Sequence, residues 1–501
     1  MCPLPPSATS GPTPALHEFY FDGGATAPPD RTETVVSRPL PNISETTVSS
    51  ILHIGDNATI VRYVTEGVLY PTPIDRLVFA ALSPQASIFV SKGSNNTLLI
   101  DLNKERYRVK PASTKQIIEL HTRYGNDTVY IADTFKNPFH IETGVGNDTV
   151  VTNAQHTTVL TGDGNDIVMT GAGDNYVNTG DGDDIVNATG ASSTVAYLGK
   201  GTDSFRGGAG TSFVNAGEGD DVVVGGQGHN ILYGSDGDDV LTAGSGSNVI
   251  YTGKGENVLD GIKDSDTIFA EGTPHYITDE IIDGRWTTTK SPALANTYVM
   301  TVSSSPLSES GLIIQGSETF IERVQDDLKL LLGSANGQKL IAELSKSIHK
   351  SQKPITIAEL KHVNNGLYIP NLGDGRSYIQ VGQAGLPDFG GTVYYNPTFS
   401  TPHAIPLTAL YHELCHAYNF VTGTQFLGAS PDGHSGVKQA PQVNNIELQA
   451  VGLPCAVKPF DFDKDPATPP LTTNPKPYSE NGMREELGLP LRKTYIRYSE
   501  D

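Results

Sequence analysis

Apolar and polar positions alternate differently in successive parts of the chain. Residues 1–45 have no long apolar run and are rich in Pro, Ser and Thr, so we expect a disordered leader. Residues 46–120 alternate apolar and polar positions, as in SSILHIGDNATIVRYV, which predicts a β-rich N-terminal cap. From residue 316 the apolar positions take helical spacing: SETFIERVQDDLKLLL predicts a helix after Ser317, and a second helix is expected at 337–350.

Residues 121–270 repeat with a period of nine, in units such as TGDGDDIVN, AGEGDDVVV and GSDGDDVLT. Each unit has a glycine-rich turn followed by an apolar residue such as Val186, Val223 or Leu241. One inward side chain per short strand can be buried only if the units stack. The period therefore predicts an all-β parallel β-roll, or solenoid, with two units in each coil, followed by a connector at 271–315.

The acidic residues of the repeat are expected to lie on one flank of the roll. If a coil has 18 residues, successive turns alternate between two flanks, and nearly all the Asp residues fall in alternate units, on one flank. The expected ligands on this flank are Asp148, Asp166, Asp184, Asp203, Asp221 and Asp239. Additional acids on the same flank are Asp163, Asp181, Glu218 and Asp236. The opposite turns carry Asn175, Ser212, Asn230 and Asn248 at the equivalent position.

Calcium prefers several oxygen ligands, so we expect a row of Ca²⁺ ions on the Asp flank and few or none opposite. The alternative is a metal-free solenoid that uses Asp, Asn and Ser as turn residues. The units match the pattern G-G-x-G-x-D-x-U-x, and the region resembles the RTX parallel β-roll family. That resemblance implies calcium binding.

The sequence His412-Glu413-Leu414-Cys415-His416 carries the clearest chemistry. Pro406 suits the first turn of a helix and Gly423 its end, so both histidines lie on one helix, one turn apart. Two imidazoles at this spacing can share a Zn²⁺ ion, and Glu413 then acts as the general base. The alternative is a pair of surface histidines on an ordinary amphipathic helix.

A catalytic zinc site requires a third protein ligand. The extended metzincin pattern fails, because Asn419 and Thr422 stand where it requires Gly and His. The downstream candidates are Asp432, His434, Glu447, Asp461 and Glu480. Glu447 is preferred, since it lies in a short predicted helix between Pro441 and Gly452, and a carboxylate on a second helix is the gluzincin arrangement.

The segments HELCHA, NNIELQAVGLP and SENGMREELGLPLRKTY resemble the NleD-type effector metallopeptidases over residues 316–500. The resemblance implies an α+β, zincin-like domain at 316–501 that cleaves a host signalling protein after delivery into the host cell. The resemblance assigns the zinc-binding and catalytic roles to His412, Glu413 and His416, which match the family's motif directly. It assigns Glu447 as a ligand on a weaker match. We expect Tyr495 or Arg492 to stabilise the oxyanion. We also expect GGTVYYNP, residues 390–397, to be an edge strand to which a substrate adds.

Charge and composition narrow the choice of function. The formal net charge of the 501-residue chain is −22, and residues 121–270, with 21 acids and 6 bases, contribute −15. This charge disfavours nucleic acid and anionic lipid as partners. No run approaches 18 apolar residues, so no spanning helix is expected, and three cysteines cannot form a disulfide framework. The leader has no Sec-type signal and resembles type III secretion leaders in composition.

These observations predict a secreted bacterial zinc endopeptidase, a virulence effector delivered into a host cell, with a host protein as its substrate. The alternative is a calcium-dependent adhesin or binding protein in which the H-E-x-x-H motif is not catalytic. The roll lies before the catalytic region, which argues against the type I export of RTX proteases. The sequence does not specify an oligomeric state.

Overall fold

The computed structural model describes residues 15–19, 31–40, 43–67, 73–271, 276–278, 281–282, 285–286, 298–302, 307–361, 366–398, 405–432 and 441–495. The chain divides into two compact units. The first comprises residues 1–163 and 167–171, and the second comprises residues 164–166 and 172–501.

The described part of the first unit is built from β-strands. They are β1 (Ala15–Phe19), β2 (Arg31–Leu40), β3 (Ile43–Ile54), β4 (Ala58–Gly67), β5 (Ile74–Ala81), β6 (Ser87–Lys92), β7 (Leu98–Leu102), β8 (Glu105–Val109), β9 (Ile117–His121), β10 (Thr128–Ile131), β11 (Phe139–Val145), β12 (Thr149–Thr152), β13 (His156–Asp163) and β14 (Ile167–Thr170). Strands β2 to β5 pair antiparallel, whereas β9, β11 and β13 pair in parallel. Strands β1 and β2 lie within the predicted leader, whose composition does not predict them. The other residues before β3 lie outside the described part of the chain.

The second unit begins with the coils of the roll and the connector that follows them. Their strands are β15 (Asp174–Asp181), β16 (Ile185–Asn187), β17 (Ser193–Lys200), β18 (Ser204–Arg206), β19 (Thr211–Glu218), β20 (Val222–Val224), β21 (Asn230–Asp236), β22 (Val240–Thr242), β23 (Asn248–Tyr251), β24 (Val258–Asp260), β25 (Thr267–Glu271), β26 (Tyr276–Thr278), β27 (Ile281–Ile282), β28 (Arg285–Trp286) and β29 (Tyr298–Val302). Residues 118–269 form a parallel β-solenoid of about eight turns. The predicted β-roll is confirmed.

The interior of the roll is the apolar stripe that the repeat predicts. Val177, Ala196, Val214, Leu232 and Ile250 follow one another in register on β15, β17, β19, β21 and β23, and none is exposed to solvent. Coils this close leave no space for side chains at some turn positions. At Gly199, where φ is +109°, a Cβ atom would lie 1.8 Å from the carbonyl oxygen one coil away, so only glycine fits.

The C-terminal region combines helices with a small mixed sheet. Its elements are β30 (Ile313–Gln315), α1 (Glu318–Gly333), α2 (Ala335–Ser351), β31 (Ile355–Glu359), β32 (Gly366–Pro370), β33 (Gly391–Tyr395), α3 (Pro406–Thr422), β34 (Ala429–Pro431), β35 (Gln442–Asn444), α4 (Asn445–Val451) and α5 (Glu480–Glu486). Both helices predicted after Ser317 are present as α1 and α2, and the Ser317 hydroxyl caps α1 by accepting a hydrogen bond from the Phe320 amide. None of the described helices is long and apolar enough to cross a bilayer.

The order of the mixed sheet corrects one expectation from the sequence. The order is β30-β31-β33-β32, so β33 pairs with β31 on one side and β32 on the other. The segment 390–397 is therefore an interior strand and has no free edge for a substrate. Within the described sheet the edge strand beside it is β32, a short segment that the apolar pattern did not single out.

Within the second unit, the outer face of the roll is covered by the C-terminal region. The Tyr197 hydroxyl donates a 2.9 Å hydrogen bond to the buried carboxylate of Asp327 on α1. The Tyr251 hydroxyl donates a 2.9 Å bond to Glu486 on α5. Glu486 in turn accepts the backbone amides that begin α2, so a tyrosine of the roll helps to hold two helices of the C-terminal region.

Candidate metal centre and cleft

Helix α3 carries the H-E-x-x-H residues, and both of its ends lie where the sequence predicts them. Pro406 stands at the first turn, and Gly423 closes the helix in the left-handed conformation with φ of 71°. The helix is buried almost all round, so its polar residues face an internal cleft instead of solvent. His412, Glu413 and His416 have only 7%, 5% and 6% of their surface exposed.

Three side-chain atoms form a small triangle at this cleft. The Nε2 atoms of His412 and His416 lie 3.1 Å apart, and the Oε2 atom of Glu447 lies 3.4 Å and 3.2 Å from them. A tetrahedral zinc with bonds of about 2.0–2.1 Å separates its ligands by about 3.3–3.4 Å. The edges of the triangle are therefore compatible with three ligands around one zinc ion.

Glu447 reaches this position because of the helix that carries it. Helix α4 (Asn445–Val451) is capped by Gly452, where the sequence predicts its end, whereas β35 takes the three residues after Pro441; Glu447 lies in the first turn of the helix. The two imidazoles nearby hold the pKa of the Glu447 carboxyl well below its ordinary value, although burial alone would raise it. The cleft thus keeps this oxygen ionised, as a metal ligand must be.

Glu480 supports the site and does not join the triangle. Its Oε2 lies 3.1 Å from Nδ1 of His412, the nitrogen that points away from Glu447. Arg484 donates a 2.7 Å bond to its Oε1, and Arg492 donates a 2.8 Å bond to its Oε2. A carboxylate in this position fixes the tautomer and orientation of a metal-binding histidine. Sequence reasoning considered Glu480 only as a direct ligand.

The other candidate ligands lie elsewhere in the described structure. Asp432 accepts the backbone amide of Tyr495 at 2.6 Å, and Asp461 accepts an amide in an exposed turn. His434 lies outside the described residues. Asn419, where the metzincin pattern requires Gly, is buried and exchanges side-chain hydrogen bonds with Asn474.

Glu413 lies beside the triangle, against the edge strand. Burial raises the pKa of its carboxyl, and the nearby imidazoles act in the opposite direction. A Cβ atom added to Gly366 on β32 would come within 2.5 Å of Cγ of Glu413, so this glycine makes room for the carboxylate. Both residues line a cavity of about 560 Å³ together with the three triangle residues. No sequence signal pointed to Gly366.

Tyr495 and Arg492, the two expected oxyanion stabilisers, both line this cavity. The Tyr495 ring lies 6.3 Å from the His412 ring, and burial together with the charge of Glu447 raises the pKa of its hydroxyl well above the ordinary value. The hydroxyl is therefore protonated at neutral pH and able to donate a hydrogen bond. Arg492 forms an ion pair with Glu480, so its positive charge is already balanced by a carboxylate.

The Asp residues of the roll turn inward and form a ladder. In the second unit, Oδ1 of Asp203, Asp221 and Asp239 each accepts the backbone amide of the Asp one coil earlier, at 2.7, 2.8 and 3.1 Å. Their Oδ2 atoms are buried and have no hydrogen-bond partner. Burial raises the pKa of these three carboxyls to about 7 and that of Asp184 to about 8.

The ladder continues at the remaining predicted calcium ligands. The Asp166 amide donates to Oδ1 of Asp184 at 2.7 Å in the second unit. In the first unit the Asp127 amide donates to Oδ1 of Asp148 at 2.7 Å, and burial raises the pKa of Asp148. Asp127 belongs to the same type of turn, although the nine-residue count did not include it.

Three of the four outer acids of the flank pair with lysines, Glu218 with Lys329 at 3.2 Å. Lys200 lies 2.9 Å from Asp181, and Lys254 lies 2.9 Å from Asp236. These acids were expected to add to the negative charge of the calcium row. In the structure a lysine pairs with each of Asp181 and Asp236, which reduces the negative charge that these two acids add to the flank.

The two flanks also differ in backbone conformation. On the Asp flank, Gly217 and Gly219 have φ of +109° and +134°, and the preceding turns repeat this pair of positive angles. On the opposite flank this pair does not recur: Gly226 and Gly228 fall outside the left-handed region, and Gly173 and Gly244 are single positive angles of +125° and +85°. The difference in side chains that the sequence predicts is therefore accompanied by a difference in the shape of the turn.

Comparison with known families agrees with both resemblances. Residues 308–495 match the peptidase M91 family, which is described as an effector protein. Residues 160–195, 197–232 and 233–268 match the RTX calcium-binding nonapeptide repeat. Neither the curated proteins nor the solved structures give a significant match. The chain thus joins RTX calcium-binding repeats to a protease-like effector region.

Proposed function

We propose that this chain is a secreted bacterial zinc endopeptidase that hydrolyses a peptide bond in a host protein. The observation that carries the proposal is the triangle of His412, His416 and Glu447, whose 3.1–3.4 Å edges match three ligands of one zinc ion. Zinc bound there would supply Lewis-acid chemistry and make water a nucleophile near neutral pH. The buried carboxylate of Glu413, which lies beside the triangle, would supply the base.

Glu413 is assigned the proton transfers. Its carboxylate accepts a proton from the attacking water and donates it to the nitrogen of the leaving amine. The raised pKa of this buried group brings it closer to neutral pH, where a base can both take and return a proton. The Tyr495 hydroxyl, which stays protonated, donates a hydrogen bond to the oxyanion that develops on the substrate carbonyl.

The substrate is proposed to lie along β32. This strand is at the edge of its sheet and borders the same cavity as Glu413. An extended peptide can add to such an edge through backbone hydrogen bonds. Strand β32 thus takes the substrate-binding role first expected of residues 390–397, which form an interior strand of the sheet.

The role proposed for the roll is to bind calcium on the Asp flank only and to support the peptidase region. The unpartnered Oδ2 atoms of Asp203, Asp221 and Asp239 are the oxygens offered to the cation. We expect about five calcium ions per chain, whereas about ten would mean that both flanks bind. The calcium level of host cytosol is far below the ~10⁻⁴–10⁻³ M range of extracellular calcium modules, so the ions would bind before delivery.

Delivery into a host cell is supported by the effector family match and by the Pro-, Ser- and Thr-rich leader. The composition favours a protein substrate over nucleic acid, because the net charge is −22.

The test compares the wild-type chain with Glu413→Gln on a library of peptides, and detects new termini by mass spectrometry. Glutamine keeps the shape of the side chain but cannot accept a proton, so we expect cleavage to fall by about 10²–10⁴-fold. Zinc content should be unchanged. Glu343→Gln, a change at a half-buried carboxylate of α2 that pairs with Lys346, is the matched control and should cleave normally. Equal rates in wild type and Glu413→Gln would refute the peptidase assignment and favour a binding protein.

A further inference from the structure

A second group of two histidines and one glutamate lies far along the chain from the cleft. Among the described residues, His121, His140 and Glu142 are brought together with their ligand atoms all within 4.8 Å of one another. They belong to the first unit, on the neighbouring parallel strands β9 and β11. The register sets Glu142 beside His121 and His140 beside Glu119, so the four side chains form a square.

The square lies on the outer face of these strands. The alternate residues Ile118, Leu120, Phe139 and Ile141 are buried in the interior, with at most 1% of their surface exposed. Since side chains alternate across a strand, the histidines and glutamates point the other way. The side chains of His121 and His140 are 22% and 25% exposed, which leaves them open to an ion from solvent.

Glu142 lies between the two imidazoles. Its Oε1 is 2.8 Å from Nε2 of His140, and its Oε2 is 3.8 Å from Nδ1 of His121. The Glu142 side chain is 46% exposed and can shift to shorten the longer distance. The hydrogen bond with His140 lowers the pKa of Glu142, so the carboxylate is ionised at neutral pH.

The other nitrogen of His121 faces a different carboxylate. Nε2 of His121 is buried and makes no hydrogen bond, although Oε2 of Glu119 lies only 3.4 Å away. Glu119 is held by Arg76 at 3.3 Å. Burial would raise the pKa of Glu119, but His121 and Arg76 lower it to about 2.

The same order of residues occurs at the cleft, where the contact between carboxylate and histidine is a 3.1 Å hydrogen bond instead of a 3.4 Å approach. There Arg484 holds Glu480, Glu480 lies against Nδ1 of His412, and the opposite nitrogen of that ring faces the triangle. Here Arg76 holds Glu119, and Glu119 lies against Nε2 of His121, whose opposite nitrogen faces Glu142. An arginine-held carboxylate behind a histidine is the arrangement that orients a metal ligand.

The charges of the square also favour a divalent cation. Arg76 balances Glu119, which leaves Glu142 as a negative charge beside two imidazoles that are neutral when they bind metal. Two nitrogens and one carboxylate oxygen form the donor set that zinc accepts. We propose that His121, His140 and Glu142 bind a second zinc ion on the outer face of the first coils, with Glu119 as the positioning residue for His121.

The experiment counts zinc in the untagged full-length chain after dialysis against micromolar zinc and millimolar calcium. We expect two zinc ions in wild type, one in His140→Ala, one in His416→Ala and none in the double variant. His349→Ala, an exposed histidine of α2, is the control and should keep both. Because the sites are lost separately, failure of this proposal is distinguishable from failure of the catalytic site.

Two further variants keep the test informative if His140→Ala does not fold. Glu142→Gln removes only the negative ligand and should also leave one zinc ion. Glu119→Gln should retain the second ion with an affinity lower by about 10–100-fold, measured by competition with a chelator. One zinc ion in wild type that is lost in His416→Ala would overturn the proposal. So would two ions that survive in both His140→Ala and Glu142→Gln.

Discussion

The buried Asp ladder makes the stability of the metal-free roll depend on pH in an unusual direction. The carboxyls of Asp203, Asp221 and Asp239 have a pKa of about 7 in the folded chain, against 3.8 for an ordinary Asp. A raised pKa means that the folded state favours the protonated form. The stability this provides is fully present below about pH 4 and is lost as the pH rises through about 7.

The size of the effect follows from these values. A pKa raised from 3.8 to about 7 corresponds to about 4 kcal/mol for one Asp, and about 3 kcal/mol of that falls between about pH 5 and pH 8. In a region of this size 1 kcal/mol changes the unfolding midpoint by about 2–4 °C. A single Asp of the ladder therefore lowers the midpoint by at least about 6 °C over this range.

The assay is thermal unfolding, followed by far-ultraviolet circular dichroism, of a chain stripped of all metal with EDTA. The midpoint should fall between about pH 5 and pH 8, and added calcium should abolish the fall because the ion stabilises the ionised carboxylates. Asp221→Asn cannot ionise, so in the stripped chain it should raise the midpoint at pH 8. A midpoint that stays level or rises with pH in the stripped wild type would refute the reasoning.

Three other substitutions test separate contacts. Tyr251→Phe removes the hydroxyl that donates a hydrogen bond to the half-buried carboxylate of Glu486 on α5, and should lower the free energy of unfolding by about 1–3 kcal/mol in denaturant titration. Glu480→Gln should weaken zinc binding about 10–100-fold in chelator competition, and an unchanged affinity would contradict its supporting role. Gly366→Val should displace Glu413 and abolish peptide cleavage with zinc retained, whereas Gly333→Ala, which meets no neighbouring atom, should not.

The sequence predicted the elements whose signals are local. The nine-residue period specifies the roll, because each coil repeats the same turn and the same inward position. Helix α3 is bounded by Pro406 and Gly423, and helix α4 ends at a glycine, so these helix ends and the candidate ligands on the two helices followed from neighbouring positions.

Features that depend on distant parts of the chain did not appear in the pattern. Strand β32 is only five residues long, and its position at the sheet edge depends on β33. Glu480 reaches His412 from 68 positions away. The square on β9 and β11 was missed because His121 and Glu142 pair at a spacing of 21 residues, longer than the 18-residue coil assumed for the roll.

The central claim is that His412, His416 and Glu447 hold a zinc ion beside Glu413. Crystals of the zinc-loaded full-length chain, measured on both sides of the zinc absorption edge, test it most directly. We expect an anomalous peak bonded to these three side chains at about 2.0–2.2 Å, with the Glu413 carboxylate adjacent and not bonded. A cleft without a peak, or a peak held by other side chains, would contradict the assignment of the site and of the peptidase activity that depends on it.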